Sequence, residues 1–191
     1  MGPYEVEIKA VIRRGGPYDG SVSEMEEIQS RLVELGALPK GHLVHKDLYL
    51  SHPCRDLSAT DEALRIRSQR RTDNGECSAF MTYKGPKLSS RSKARREVEV
   101  EIDDPEGVKR VLLELGFKEV REVEKHRSFL DLGRIKICLD MVEGLGYFLE
   151  AEIMSDDIQG SEEELMGLLK GLGLRNFERR SYLEMLREKQ V

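Results

Sequence analysis

Glu5, Glu7 and Lys9 alternate with Val6, Ile8 and Ala10 in the run Tyr4-Glu5-Val6-Glu7-Ile8-Lys9-Ala10. A period of two reads as a β-strand with one apolar face and one face carrying two carboxylates and an ammonium. The same alternation recurs along the chain. Arg65 and Arg67 share a phase against Leu64 and Ile66, and Lys84 follows Thr82 in phase. Arg95, Glu97 and Glu99 share another, as do Lys125 with Arg127, Lys136 with Asp140, and Glu150 with Glu152. Carboxylates on rigid strands suit Mg²⁺ or Mn²⁺, which prefer hard oxygen donors. Arginine forks grip phosphate oxygens at two points and lysines add point charge. Acids and bases held together in this way fit a polyphosphate with divalent cations. They also fit phosphoryl or nucleotidyl transfer, where positioning and charge stabilisation dominate.

These residues need a scaffold that turns one face of every strand to a common interior. Strand patterns lie near 4–13, 43–51, 63–70, 77–84, 94–102, 125–131, 134–142 and 147–154. Helical patterns interrupt them. One covers 23–35, with Ser23 as N-cap and Gly36 at its end. Another covers 105–115, with Pro105 in its first turn and Gly116 as its stop. A third opens at Ser161 and runs to about Lys170, and a last one spans about Arg179 to Lys189. A solvated face would carry Thr, Ser and Gln as well, whereas these strands repeat Arg, Lys and Glu. Closing the sheet into a barrel places that face inside and removes the sheet edges. Buried ions without partners cost several kcal/mol each, so they must pair or bind something.

The chain has 191 residues, enough for one substantial core, and no composition break divides it. Charged residues make up 35% and the net charge is −5, so the molecule as a whole does not attract nucleic acid. Cys54, Cys77 and Cys138 are few, odd in number and far apart, which is neither a zinc nor a disulfide pattern. No apolar run approaches ~18 residues and no basic-then-apolar leader precedes the first strand, so a cytoplasmic protein without membrane contact is expected. No GxxxxGK[ST] segment is present, and Gly144-Leu145-Gly146 reads as a hairpin turn, not a dinucleotide loop.

In order, the motifs are Glu5-Val6-Glu7-Ile8-Lys9, Asp47-Leu48-Tyr49, Asp61-Glu62-Ala63-Leu64-Arg65-Ile66-Arg67, Thr82-Tyr83-Lys84-Gly85-Pro86, Arg95-Arg96-Glu97-Val98-Glu99, Lys125-His126-Arg127 and the run from Leu139 to Glu152. This series resembles the CYTH superfamily, the triphosphate tunnel metalloenzymes, over roughly 4–187. His52-Pro53-Cys54-Arg55-Asp56 and Ser181-Tyr182-Leu183-Glu184-Met185-Leu186 are similar to its class IV adenylate cyclase subgroup.

The resemblance implies a single α+β domain over 1–191, an eight-stranded antiparallel β-barrel with helices packed on its outside. It implies metal-side carboxylates at Glu5, Glu7, Glu150 and Glu152, with Glu97 and Glu99 as further candidates. Lys9, Arg65, Arg67, Lys84, Arg95, Lys125 and Arg127 would grip phosphates. Asp140 would lie near the metal or orient a basic residue. Glu5, Glu7, Lys9, Asp140 and Glu150 form the implied catalytic set. The substrate would be ATP or a polyphosphate, with Mg²⁺ or Mn²⁺ as cofactor and a homodimer as the working form. The leading activity is conversion of ATP to cyclic AMP and pyrophosphate. Hydrolysis of an inorganic or organic triphosphate is the alternative, and a non-catalytic polyphosphate-binding module is a third reading.

Other residues have plainer readings. Lys136 suits a tunnel-rim charge. His42, His45, His52 and His126 are scattered and form no metal set, and His126, in the phase between Lys125 and Arg127, is expected to pack under a helix. Asp47 and Tyr49 are open between substrate contact and a structural pair. Glu162, Glu163 and Glu164 suit the positive end of a helix.

Overall fold

A computed structural model describes residues 4–14 and 22–189. The strands are β1 (Tyr4–Arg14), β2 (Leu38–Ser51), β3 (Ala63–Arg71), β4 (Cys77–Lys84), β5 (Glu97–Glu101), β6 (Lys118–Leu132), β7 (Ile135–Val142) and β8 (Gly146–Ser155). The helices are α1 (Val22–Glu34), between β1 and β2, α2 (Pro105–Glu114), between β5 and β6, and α3 (Ile158–Gly171) and α4 (Tyr182–Glu188), which follow β8. The strands form one antiparallel sheet in the order β1-β8-β7-β6-β2-β3-β4-β5.

The sheet curls until its two edges nearly meet. The segment before β5 bridges the seam: Lys93 donates its backbone N–H to the Glu7 carbonyl at 3.0 Å, and Arg95 donates to the Glu5 carbonyl at 3.3 Å. Further along, 176–178 covers the rest of the β1 edge, with Glu178 N–H on the Lys9 carbonyl and Val11 N–H on the Asn176 carbonyl, each at 2.8 Å. The edge strand therefore leaves few backbone groups for another chain to pair with. The expected α+β barrel is the observed fold.

The apolar phase faces outward beneath helices. Val6, Ile8 and Ala10 of β1, Leu149, Ala151 and Ile153 of β8, and Ile135 and Ile137 of β7 pack with Leu165 and Leu169 of α3 and with Ile28 and Leu32 of α1. The inward phase changes character along the barrel axis. Val11, Tyr49, Val123, Val142 and Phe148 all follow the inward charged residues in phase, and they meet Tyr182, Met185 and Leu186 of α4 in a second apolar cluster. This cluster plugs one end of the barrel.

Three helix boundaries differ from expectation. Ser23 is inside α1, which has already begun at Val22. Asp157, not Ser161, caps α3 by accepting from Gly160 N–H at 2.9 Å. The last helix starts at Tyr182, where Ser181 and Glu184 form a reciprocal capping box, so 179–181 is not helical. Pro105 opens α2 behind the Asp104 cap, and Gly116, at φ +89, ends it as expected. Strands β2 and β6 extend well beyond their expected ends. Among the described residues, no helix is long and apolar enough to cross a membrane.

Candidate active site in the barrel interior

The barrel encloses a cavity of about 490 Å³. Its wall includes Glu5, Glu7, Arg65, Arg67, Lys84, Arg95, Glu97, Glu99, Lys125, Arg127, Glu150 and Glu152, so twelve of the fourteen sequence-derived residues line it. Register explains how they meet. Glu7 stands opposite Glu152 across β1 and β8, and Lys9 opposite Glu150. Asp47 faces Arg67, Thr82 faces both Arg65 and Glu99, and Lys84 faces Glu97. Acidic side chains come mainly from β5, β1 and β8, and the basic ones mainly from β4, β3 and β6. The seam bridge joins the acidic strands into one arc and leaves the basic arc facing it.

On the basic arc Asp47 receives Arg67 at two points, Nε to Oδ1 at 2.6 Å and Nη2 to Oδ2 at 2.7 Å, with Arg65 Nη1 at 3.6 Å. Burial works against its charge, but Arg67 and Arg65 hold its carboxyl well below the usual range. Asp47 thus aims two arginines. Arg65 also donates to Thr82 Oγ1 at 3.0 Å, and Thr82 passes the bond to Glu99 at 2.7 Å. Arg95 is buried and reaches the Gly85 carbonyl at 3.4 Å.

Asp140 and Lys9 lie behind the wall. Asp140 binds Arg127 Nε at 2.6 Å and Nη2 at 2.5 Å, Lys125 Nζ at 3.4 Å and the Tyr182 hydroxyl at 2.9 Å. It orients basic residues. Lys9, 1% exposed, donates to the Arg180 carbonyl at 2.5 Å and lies 4.0 Å from the centre of the Tyr182 ring. Burial, then the nearby Lys93 ammonium, push its pKa well below the usual lysine value. Burial and Arg127 likewise bring Lys125 down to about 8.

On the acidic arc burial, followed by repulsion from Glu97, Glu152 and Glu7 and only partly offset by Lys84, pushes Glu5 up to about 8. Burial and Glu7 also raise Glu152, whose described ion partner is the exposed rim residue Lys136 at 3.8 Å. Glu150 is held low, because Lys93 and Arg127 outweigh its burial. Among the described residues no three His, Cys, Asp or Glu side chains stand close enough to hold a metal ion as they are placed. The reason is local: Lys93 Nζ lies 2.6 Å from Glu7 and 3.2 Å from Glu150, and Arg127 also takes Glu150. The donor chemistry nevertheless fits a hard divalent cation, since the carboxyls of the arc offer oxygen donors and those of Glu5 and Glu152 are buried and crowded by like groups.

Sequence reading missed Lys93, Tyr182 and His45. Lys93 continues the inward phase of Arg95, Glu97 and Glu99 by one more step, a signal obscured because it precedes the regular strand. Tyr182 is on a helix, outside the strand pattern. His45 shares the inward phase of Asp47 and Tyr49. His126 is exposed, not covered by a helix, because β6 presents that position to solvent. The described cysteines are unpaired, with Cys138 buried. A smaller cavity of about 300 Å³ lies outside the barrel, between α2 and β2, β3 and β6, and contains none of the sequence-derived residues.

The CYTH domain family model matches residues 4–182. "Putative adenylate cyclase MJ0240" of Methanocaldococcus jannaschii is 37% identical over 186 residues, spanning 95% of this chain and 97% of that protein. The PH1819 protein of Pyrococcus horikoshii OT3 superposes with a TM-score of 0.86 at 43% identity, over 97% of this chain and 99% of that one. HpAC1 from Hippeastrum, 19% identical, shares the fold with a TM-score of 0.65 over 99% of this chain and 97% of that one. With the family match running from the first residue of β1 to the first residue of α4, over the strands that build the ion-lined cavity, the chain belongs to the CYTH domain family.

Proposed function

We propose that the barrel is the active site of a divalent-metal-dependent enzyme acting on a triphosphate, with ATP cyclisation to cyclic AMP and pyrophosphate as the leading activity. One observation carries this reading: a cavity of about 490 Å³ whose wall divides into an acidic arc and a facing basic arc. Phosphate binding alone calls only for the basic arc. The buried and mutually crowded carboxyls of Glu5 and Glu152 suit a cation beside the anion. The name of the Methanocaldococcus jannaschii relative supports cyclisation.

Arg65, Arg67, Lys125 and Arg127 bind the phosphate chain, aimed by Asp47 and Asp140, while Lys84 and Arg95 extend the grip towards the seam. Mg²⁺ or Mn²⁺, held by Glu5, Glu7, Glu150 and Glu152 with Glu97 and Glu99 at hand, would neutralise charge along the phosphates. For Glu7 and Glu150 to hold that cation, Lys93 would have to release both carboxylates. In cyclisation the ribose 3′ oxygen gives its proton to the Lys9 amine, which has first lost its own proton and turned from the Arg180 carbonyl to the cavity, and forms a bond to the α-phosphorus. The bond to the β-phosphate oxygen breaks and pyrophosphate leaves with the electron pair. In hydrolysis a water oxygen instead gives up a proton to the base and bonds to the terminal phosphorus, while the bond from that phosphorus to the bridging β-phosphate oxygen breaks and the rest of the substrate leaves with the electron pair. That second reading draws support from HpAC1, a protein of the same fold described with a dominant triphosphatase activity. A homodimer in the cytoplasm completes the proposal, on the resemblance to the family.

Product analysis tests it. ATP, tripolyphosphate and thiamine triphosphate are incubated with Mg²⁺, Mn²⁺ or EDTA, and cyclic AMP, pyrophosphate and phosphate are quantified. Cyclic AMP with pyrophosphate supports cyclisation, and phosphate release supports hydrolysis. Absence of every product, with Glu7→Gln indistinguishable from wild type, defeats the enzymatic reading. Binding unaffected by EDTA and without turnover favours a binding module.

A further inference from the structure

His45 is 1% exposed on β2, on the inward phase between Leu43 and Asp47, and it lines the cavity. Neither Nδ1 nor Nε2 has a hydrogen-bond partner. Buried polar side chains are almost always bonded, and leaving one unpaired costs about 1–3 kcal/mol. An orphaned imidazole in a well-packed wall therefore needs an explanation.

The neighbouring protein groups make no bond to it. Gln69, opposite His45 on β3, donates its amide to Ser78 Oγ at 2.9 Å. Asp47 is taken by Arg67. Lys125, opposite on β6, and Arg127 both turn to Asp140. The nearest ring, Phe129, is apolar, with its centre 6.1 Å away. His45 lines the cavity together with Arg67, Lys125 and Arg127. Arg65 Nε, on the same basic arc, is a second buried donor without a partner. The position is also well away from the apolar plug, since Tyr49, a member of the plug, is four residues and so about 13 Å along β2.

We propose that the His45 imidazole is a further anion-binding group of the tunnel, donating a ring N–H to a phosphate oxygen of the bound ligand. It extends the triphosphate reading above and rests on it. Burial, then Arg67, Lys125 and Arg127, disfavour a charge on the ring, and Asp47 offsets them only in part. The ring is accordingly uncharged at neutral pH, with one donor and one acceptor nitrogen. It adds a directed hydrogen bond where another cation would only increase the repulsion among the three already present.

The test is tripolyphosphate binding in EDTA by calorimetry, for wild type, His45→Phe and His45→Gln. NMR of the wild-type His45 ring nitrogens is recorded alongside. The expected result is a loss of about tenfold in affinity for His45→Phe and recovery to within about threefold for His45→Gln, which restores a donor. The melting temperature of His45→Phe is expected to be no lower than that of wild type, because the substitution removes two unpaired polar atoms from the wall. The ring nitrogen shifts are expected to move on adding tripolyphosphate and not on adding chloride. His45→Phe binding as tightly as wild type, or ring shifts that do not respond while wild type binds, overturns the proposal. The ring nitrogens then bond to internal water, and the orphan has a structural explanation. Should His45→Phe fail to fold, the glutamine variant and the ring shifts still decide. Wild type that binds no tripolyphosphate, with or without metal, overturns the triphosphate reading itself, a failure separable from the others.

Discussion

Arg127 and Asp140 stand opposite each other in the β6–β7 register and join through two parallel bonds, Nε to Oδ1 at 2.6 Å and Nη2 to Oδ2 at 2.5 Å. Both are buried, and Asp140 also receives Lys125 and the Tyr182 hydroxyl. One carboxylate therefore sets two cations of the basic arc and ties them to the plug at the barrel end. The arc is aimed before any ligand arrives, which reduces the ordering needed on binding.

Asp140→Asn removes that anchor and leaves Arg127 and Lys125 as buried cations with Glu150 as their remaining counter-charge. Breaking a buried ion pair in this way destabilises by about 3–5 kcal/mol. Urea unfolding is expected to show a loss in that range. Tyr182→Phe, which removes only the 2.9 Å hydroxyl bond, is expected to lose about 1 kcal/mol. Equal losses in the two variants would show that Asp140 does not carry the network.

Lys93 occupies the space between Glu7 and Glu150 that a cation would take. Both carboxylates raise its pKa against the effect of burial, so it stays charged. Lys93→Met removes this internal competitor. Mn²⁺ binding without nucleotide, followed by calorimetry, is expected to tighten by about tenfold, or ~1.4 kcal/mol. Unchanged Mn²⁺ affinity would place the metal away from Glu7 and Glu150.

Much of this arrangement was legible in the sequence because a strand has only two faces. Once Glu5 and Glu7 are assigned inward, Val6 and Ile8 must go outward, and each later strand repeats the choice. The fold class and twelve of the charged residues in the cavity wall follow from that alternation. It does not reveal where along a strand the inward phase stops being charged. Tyr49, Val123, Val142 and Phe148 continue the same phase yet form the plug, because α4 covers that end. Lys9 lies at this boundary, and so it faces Tyr182 and not the open cavity. Lys93 and His45 were not assigned to the wall, for different reasons. The first precedes the regular strand it continues in phase, and the second is defined by what its neighbours already bond, which depends on register.

The raised pKa of Glu5 gives stability a pH dependence. In the folded protein its carboxyl holds a proton up to about pH 8, whereas the ordinary value is 4.5. Between those values the folded state binds the extra proton. The stability linked to this group is therefore present below pH 4.5 and lost as pH rises through about 8. Glu5→Gln fixes the uncharged form. In EDTA the variant and wild type are expected to melt together near pH 5, and the variant to melt higher at pH 8.5. Identical melting at both pH values would mean that Glu5 is not crowded by Glu97, Glu152 and Glu7.

Lys9 carries the sharpest test of the chemistry. Its side chain is fixed by the Arg180 carbonyl and the Tyr182 ring, and it does not line the cavity. If it served mainly to grip phosphate, its removal would weaken substrate binding as removal of Arg67 does. If its lowered pKa is used to accept the proton of the attacking hydroxyl or water, its removal acts on turnover. Lys9→Met keeps the packing against Tyr182 and removes the amine. It is expected to lower kcat by about 10²–10⁴-fold, the usual range for a lost general base, with KM little changed. Arg67→Ala is expected to raise KM more than it lowers kcat. In wild type, kcat is expected to fall on the acid side as Lys9 gains its proton, and this limb is expected to be absent from Lys9→Met. A KM increase with unchanged kcat in Lys9→Met would assign Lys9 to phosphate binding and leave the base to another group.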